Sequence, residues 1–182
     1  MFLLNYDCPF SWVQFIRPQV LKIQNLLSVD GDEEQLRRNL AHCSVLNAYI
    51  KRRSNMELEA QKNGTLPFKE VVTAVAESLE YVKLTGMETF LSSSGEGVCQ
   101  AGQIIRGYSA FESVTETVIG KADYMTVRLE KDSSVRIRFL LSGKADMSEL
   151  SALRFDGCHT EYTEEENDAE LLISLSEGGD GQ

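Results

Sequence analysis

Basic residues are scarce in this 182-residue chain, where 18 Lys and Arg stand against 28 Asp and Glu for a net charge of −10. A protein that neutralises nucleic-acid phosphates needs a basic surface, so the balance argues against a nucleic-acid partner. The shortage lies in the back half. Residues 1–62 carry 8 basic and 7 acidic side chains, residues 63–182 carry 10 and 21, and from Glu161 onward there are 8 acidic side chains and no basic one. Long apolar runs are missing as well, with nothing near the ~20 residues that span a bilayer. The apolar start, MFLLNYDCPFSWVQF, has no basic leader and is broken by Asp7 and Pro9, so it does not read as a secretory signal. Four cysteines, Cys8, Cys43, Cys99 and Cys158, are scattered with no C-x-x-C pair. That excludes the familiar zinc and disulfide frameworks and suits reduced thiols in a cytoplasmic protein. No G-x-S-x-G, H-E-x-x-H, P-loop or EF-hand pattern occurs, and there is no internal repeat or long linker. No metal and no cofactor are expected.

What is present is amphipathic. A composition of 42% hydrophobic and 25% charged residues is that of a globular protein. After a loose lead-in at residues 1–9, Trp12, Phe15 or Ile16, Val20, Ile23 and Leu26 or Leu27 mark one helical stripe. Pro18 predicts either a kink there or a helix that starts there. A second, longer helix over residues 32–62 opens on Asp32, Glu33 and Glu34, which complement the helix dipole. Leu36, Leu40, Cys43, Leu46 and Ile50 step along one of its faces. Pro67 opens a third helix carrying Phe68, Val71, Val75, Leu79 and Val82. Residues 87–91 read as a strand, residues 92–97 as a loop, and residues 98–119 as a helix with Ala101, Ile104 or Ile105, Tyr108, Phe111 and Val118 inward. Two alternating runs, YMTVRLE and VRIRFLL, joined by Lys131-Asp132-Ser133-Ser134, predict a hairpin. A brief helix over 146–153, a strand pair at 158–163 and 170–175, and a solvated acidic turn between them complete the order. The glycine-rich end, residues 177–182, predicts disorder.

Residues that could carry chemistry are few. Gly95-Glu96-Gly97 imitates a phosphate loop, but no basic residue follows. The carboxylates fall on polar turns rather than in apolar pairs suited to acid–base work. Lys51-Arg52-Arg53 reads as a solvated face with Arg53 and Glu57 as an i,i+4 pair; the functional alternative is a docking patch for an acidic partner or for this chain's own acidic half.

The helix–hairpin–turn unit SAFESVTETVIGKA, YMTVRLE and VRIRFLL resembles the centre of the ATP-binding domain of sensor histidine kinases, the GHKL ATPase fold. The NAYIKRRSN helix resembles the family's dimerisation hairpin. The resemblance implies an α+β fold: a helical hairpin over residues 1–64, a two-layer α/β sandwich over 65–176 and a tail over 177–182. It also implies an Asn that binds magnesium on the helix, an acidic residue four before it, and an Asp-x-Gly-x-Gly turn holding adenine. Laid on that pattern, the Asn position is Thr117 and the acidic position is Ser113, with Glu112 five residues before Thr117. The turn becomes Leu141-Ser142-Gly143-Lys144-Ala145. Leu141 removes the adenine acceptor and Ala145 replaces the second glycine, and only some 13 residues separate Ala145 from the next strand, too few for an ATP lid. His42 and His159 lack the acidic follower of the family's phosphate acceptor. The expectation is a degenerate histidine-kinase-like regulator that does not bind ATP, a cytoplasmic homodimer through Leu36, Leu40, Cys43 and Ile50, working with a protein of a two-component system. The alternatives are a divergent kinase or ATPase that still binds ATP, or a fragment of a larger sensor.

Overall fold

The structure, a computed structural model, describes residues 10–176, with side chains from Phe15 onward. The lead-in and tail expected at the two ends lie outside the described residues. Helix α1 (Phe10–Leu27) and helix α2 (Glu33–Asn63) form the hairpin. Then come β1 (Thr65–Pro67), α3 (Phe68–Val82), β2 (Glu88–Ser94), β3 (Val98–Gln100), α4 (Ala101–Val118), β4 (Tyr124–Lys131), β5 (Val135–Ser142), β6 (Cys158–Glu165) and β7 (Asp168–Leu175). Short 3-10 turns occupy Lys83–Thr85 and Ser148–Ala152. The α+β class expected from the sequence is the one found.

Helix α1 runs through Pro18. Its inward face is not the whole predicted stripe: Phe15, Ile23 and Leu26 pack against the core, while Val20 is 39% and Leu27 54% exposed. Gln19 is buried instead, four residues after Phe15 and four before Ile23, so the buried line follows an i, i+4, i+8 row with a polar member. Helix α2 starts at Asp32, whose Oδ1 accepts from the Gln35 amide at 2.8 Å, a cap that stabilises by about 1 kcal/mol. It ends at Gly64, whose φ of 66° suits glycine.

The sheet is five-stranded and mixed, in the order β2-β4-β5-β7-β6. Only β2 and β4 are parallel, joined by the α4 crossover; the other pairs are antiparallel. Alternation decides which face is buried. Met125, Val127 and Leu129, then Val135, Ile137, Phe139 and Leu141, then Ala169, Leu171, Ile173 and Leu175 all point into the core. The opposite face leaves Phe90, Tyr124 and Leu140 exposed.

Two departures from the sequence reading have local causes. The serines of residues 92–94 continue β2 because their backbone pairs with Arg128, Leu129 and Glu130. Residues 98–100 are strand, not helix, because they pair with Thr65–Pro67 in a two-stranded ribbon. Gly95 serves packing: at φ 93°, a Cβ there would sit 1.8 Å from the Lys131 carbonyl oxygen.

Aromatic rings hold the layers together. Tyr49 of α2 meets Tyr108 and Phe111 of α4 edge-on at 6.3 and 6.1 Å, and Phe111 stacks on Phe139 of β5 at 6.4 Å. All four are fully buried. The Tyr108 hydroxyl shares a hydrogen bond with Ser78 of α3 at 2.7 Å. Phe111→Ala therefore removes the ring that touches both the hairpin and the sheet. Urea denaturation is expected to show a loss of about 3–5 kcal/mol, against less than about 0.5 kcal/mol for exposed Leu84→Ala.

Candidate functional site

Helix α4 carries the positions that the sequence singled out, and its residues face two ways. Phe111, Val114, Thr115 and Val118 point to the core, while Ser109, Glu112, Ser113, Glu116 and Thr117 line a cleft of about 540 Å³. The other wall is α1, with Phe15, Pro18, Gln19 and Lys22, and Leu153 adds an apolar edge. Lys22 reaches across to form an ion pair with Glu116, and Gln19 Nε2 donates to the same carboxylate at 3.3 Å. The Thr117 hydroxyl is turned back on its own helix, donating to the Ser113 carbonyl at 2.8 Å.

The carboxyls of this cleft differ sharply. Glu116 is paired with Lys22. Glu112, one turn earlier, is 3% exposed and its Oε1 has no hydrogen-bond partner. Burial pushes its pKa up to about 8; the Arg53 guanidinium opposes the rise, and Glu116 adds to it. His42 of α2 lies near the same pair. Burial lowers its pKa, Glu116 works against that, and Nε2 is unpartnered. His42 is thus a neutral imidazole in an inter-helix setting, while His159 lies exposed on β6 beside Glu161 at 3.3 Å.

The turn after β5 is built for packing. Leu141 is 3% exposed within the same hydrophobic core as Met147 and Leu150. Gly143 donates its N–H to the Asn167 carbonyl at 2.9 Å, and a Cβ there would lie 2.5 Å from the Lys121 carbonyl oxygen. Close backbone approach therefore accounts for this glycine without a ligand. Ala145 is exposed. Thr117 lines the cleft under α1, whereas Leu141 borders a different hollow with Tyr124, Thr126 and Leu140.

The basic cluster of α2 is only partly solvated. Lys51 is exposed. Arg52 pairs with Glu77 of α3, so the positive patch does engage the chain's own acidic half. The Arg53–Glu57 pair forms at 3.0 Å as the spacing predicted, but both side chains are mostly buried. Arg53 also bonds Ser109 of α4 and stacks over Phe15 of α1 at 4.8 Å, clamping three helices. On the hairpin, Leu36 and Leu40 are 51% and 49% exposed, Ile50 is half-buried, and Cys43 is 6% exposed.

Glu116 and Gln19 escaped the sequence reading. The signal for Glu116 was there: Glu112 and Glu116 meet the four-residue spacing that Glu112 and Thr117 miss, and both line the cleft. Gln19 had no signal, since a polar residue on α1 reads as solvent-facing.

No protein-family model matches the sequence, and no curated protein is similar to it. Solved structures are similar in shape. A bacterial phosphotransferase aligns with a TM-score of 0.53 and 10% identity, covering 89% of this chain and 91% of that one. The histidine kinase domain of the blue-light-activated kinase EL346 of Erythrobacter litoralis gives 0.51 and 9%, covering 90% and 95%. The histidine kinase AdeS of Acinetobacter baumannii gives 0.46 and 14%, covering 93% and 96%. At these identities the likeness is one of fold: the chain has the fold of the C-terminal part of a histidine kinase.

Glu112 links the cleft to stability. Its folded pKa of about 8 stands above the ordinary 4.5, so across that window the folded state keeps a proton that the unfolded chain has released. Its contribution is fully present below about 4.5 and is lost as pH rises towards about 8, by up to about 1.4 kcal/mol per pH unit. Glu112→Gln removes this loss. Denaturation at pH 5 and pH 9 is expected to show the variant gaining on the parent chain at the higher pH; an equal difference at both would contradict the assignment.

Proposed function

We propose that this chain is a histidine-kinase-like regulatory protein that works through protein–protein contacts and does not handle ATP. One observation carries the reading: the face of α4 where the resembled family places its metal ligand looks across a cleft at α1, and Lys22 of α1 already supplies the positive charge at Glu116. Two further features support it. Leu141 offers no acceptor to an adenine amino group and is packed in the core. Thr117 spends its hydroxyl on Ser113. An adenine amino group left unpaired would lose about 1–3 kcal/mol, or roughly tenfold or more in affinity.

The partner surface in this reading is the hairpin. Leu36 and Leu40 are exposed on α2, and Leu21, Leu27 and Val29 are exposed on α1 and the turn that follows it. Large apolar side chains exposed along a helical pair favour burial against a second copy, giving a four-helix arrangement. Cys43 would lie behind that surface rather than in it, since it is 6% exposed. The proposed setting is a cytoplasmic two-component system. Among the described residues no helix is long and apolar enough to cross a membrane.

The second reading is a divergent kinase or ATPase. It draws on Glu112 and Glu116, whose carboxylate oxygens are of the hard type that Mg²⁺ prefers.

Two measurements separate these readings. Calorimetry with Mg-ATP at about 1 mM is expected to show no saturable heat, and a dissociation constant below about 100 μM would put the ATP-binding reading first. Light scattering at tens of micromolar protein is expected to give twice the chain mass, and Leu36→Asp with Leu40→Asp is expected to return it to the monomer; a parent chain that is monomeric there contradicts the hairpin dimer.

A further inference from the structure

The α1–α4 cleft holds two buried acceptor oxygens that the protein leaves without donors. Glu112 is 3% exposed and its Oε1 has no partner; Gln19 is 7% exposed and its Oε1 has none. An unpaired buried acceptor is costly, and native proteins leave few of them. Both side chains line the same cavity of about 540 Å³, within the usual range for small-ligand sites. The missing partner is therefore a group that donates hydrogen bonds.

Charge narrows its class. The guanidinium nearest Glu112 is Arg53, and it is engaged by Glu57 at 3.0 Å, by Ser109 and by the Phe15 ring. Lys22 is engaged by Glu116. Glu112 forms no ion pair of its own, although the charges of Arg53 and Lys22 both act on it. Phe15, Pro18 and Leu153 supply apolar wall for a short alkyl chain. Lys22 itself, an ammonium on four carbons, enters this cleft from α1 and shows that the chemistry is accommodated.

We propose that the cleft between α1 and α4 binds an organic ammonium or guanidinium group through Glu112 and Gln19, beside the Lys22–Glu116 pair. The group arrives either on a free small amine or on a Lys or Arg side chain of a partner protein. The site goes beyond the reading given above and does not depend on it, because an organic cation here neither requires nor forbids a nucleotide elsewhere.

Binding should expel the proton that burial keeps on Glu112 near neutral pH. The charged and titratable groups that interact with that carboxyl are Lys22 of α1, Tyr49 and Arg53 of α2, and Tyr108 and Glu116 of α4, and His42 of α2 faces Glu116. Among these, Lys22 competes directly with an incoming cation for Glu116.

The test titrates the full chain at pH 7.5 by calorimetry with four probes: 1,4-diaminobutane, agmatine, and the N-acetyl amides of lysine and arginine. Saturable binding is expected for at least one of them, with a heat that changes with the ionisation enthalpy of the buffer as the Glu112 proton leaves. The free amines binding alone would assign the small-molecule source, and the blocked amino acids binding as well would assign a partner side chain. Glu112→Gln is expected to weaken binding at least about tenfold and abolish the buffer dependence, Gln19→Leu to weaken it, and Lys22→Met to strengthen it. Near-UV circular dichroism confirms that each variant keeps its packing. Should no probe bind at about 10 mM to either the parent chain or Lys22→Met, or should binding be indifferent to Glu112→Gln, the proposal is wrong.

Discussion

Four aromatic rings, Tyr49, Tyr108, Phe111 and Phe139, form a column from α2 through α4 to the centre of the sheet. Each is fully buried, and large rings of this kind dominate core energetics through area and edge-to-face geometry together. The column makes the hairpin helix α2 part of the same core as the sandwich, since Val45, Leu46, Tyr49 and Met56 share it with α3, α4 and the strands. Burial also drives the Tyr108 hydroxyl pKa upward, leaving it a neutral partner for Ser78 and tying α3 to the same column. With its inner face locked in this way, α4 presents its outer face in one fixed orientation.

That outer face explains the chemistry of the molecule. A carboxyl one turn from another would ordinarily repel it. Here the two are treated differently by their surroundings, Glu116 neutralised by Lys22 and Glu112 by burial. The polar contacts of Gln19, Lys22 and Arg53 with α4 and with Phe15 hold α1 over a cavity rather than sealing it with apolar side chains. Such contacts weaken with salt or a competing charge far more readily than a hydrophobic seam does. The α1–α4 seam is therefore polar where the centre of the fold is apolar.

Much of this was legible in the sequence because periodicity reports burial. The inward residues of α4 and the alternation of β4, β5 and β7 follow directly from spacing. The ribbon of β1 and β3 was not legible, because three-residue strands carry too little pattern and depend on each other across the α3–β2 segment. Serines at the end of β2 look like loop when propensity is read alone; pairing with β4 decides otherwise. At the candidate site, Leu141 and Gly143 could be read as departures from a nucleotide turn. That α1 would reach α4 across the cleft could not, since it rests on long-range contacts of Gln19 and Lys22 separated from Glu116 by 97 and 94 positions.

The central proposal is that this chain does not handle ATP, because Lys22 is paired with Glu116 on α4 and Leu141 is packed in the core. Hydrogen exchange resolved along the chain, with and without Mg-ATP in excess, tests it most directly. The account predicts unchanged protection across residues 101–118 and 141–147, because Thr117 gives its hydroxyl to Ser113, Lys22 holds Glu116 and Leu141 is packed in the core. New protection confined to those two segments, with α1 exchanging faster as it is displaced, would contradict it.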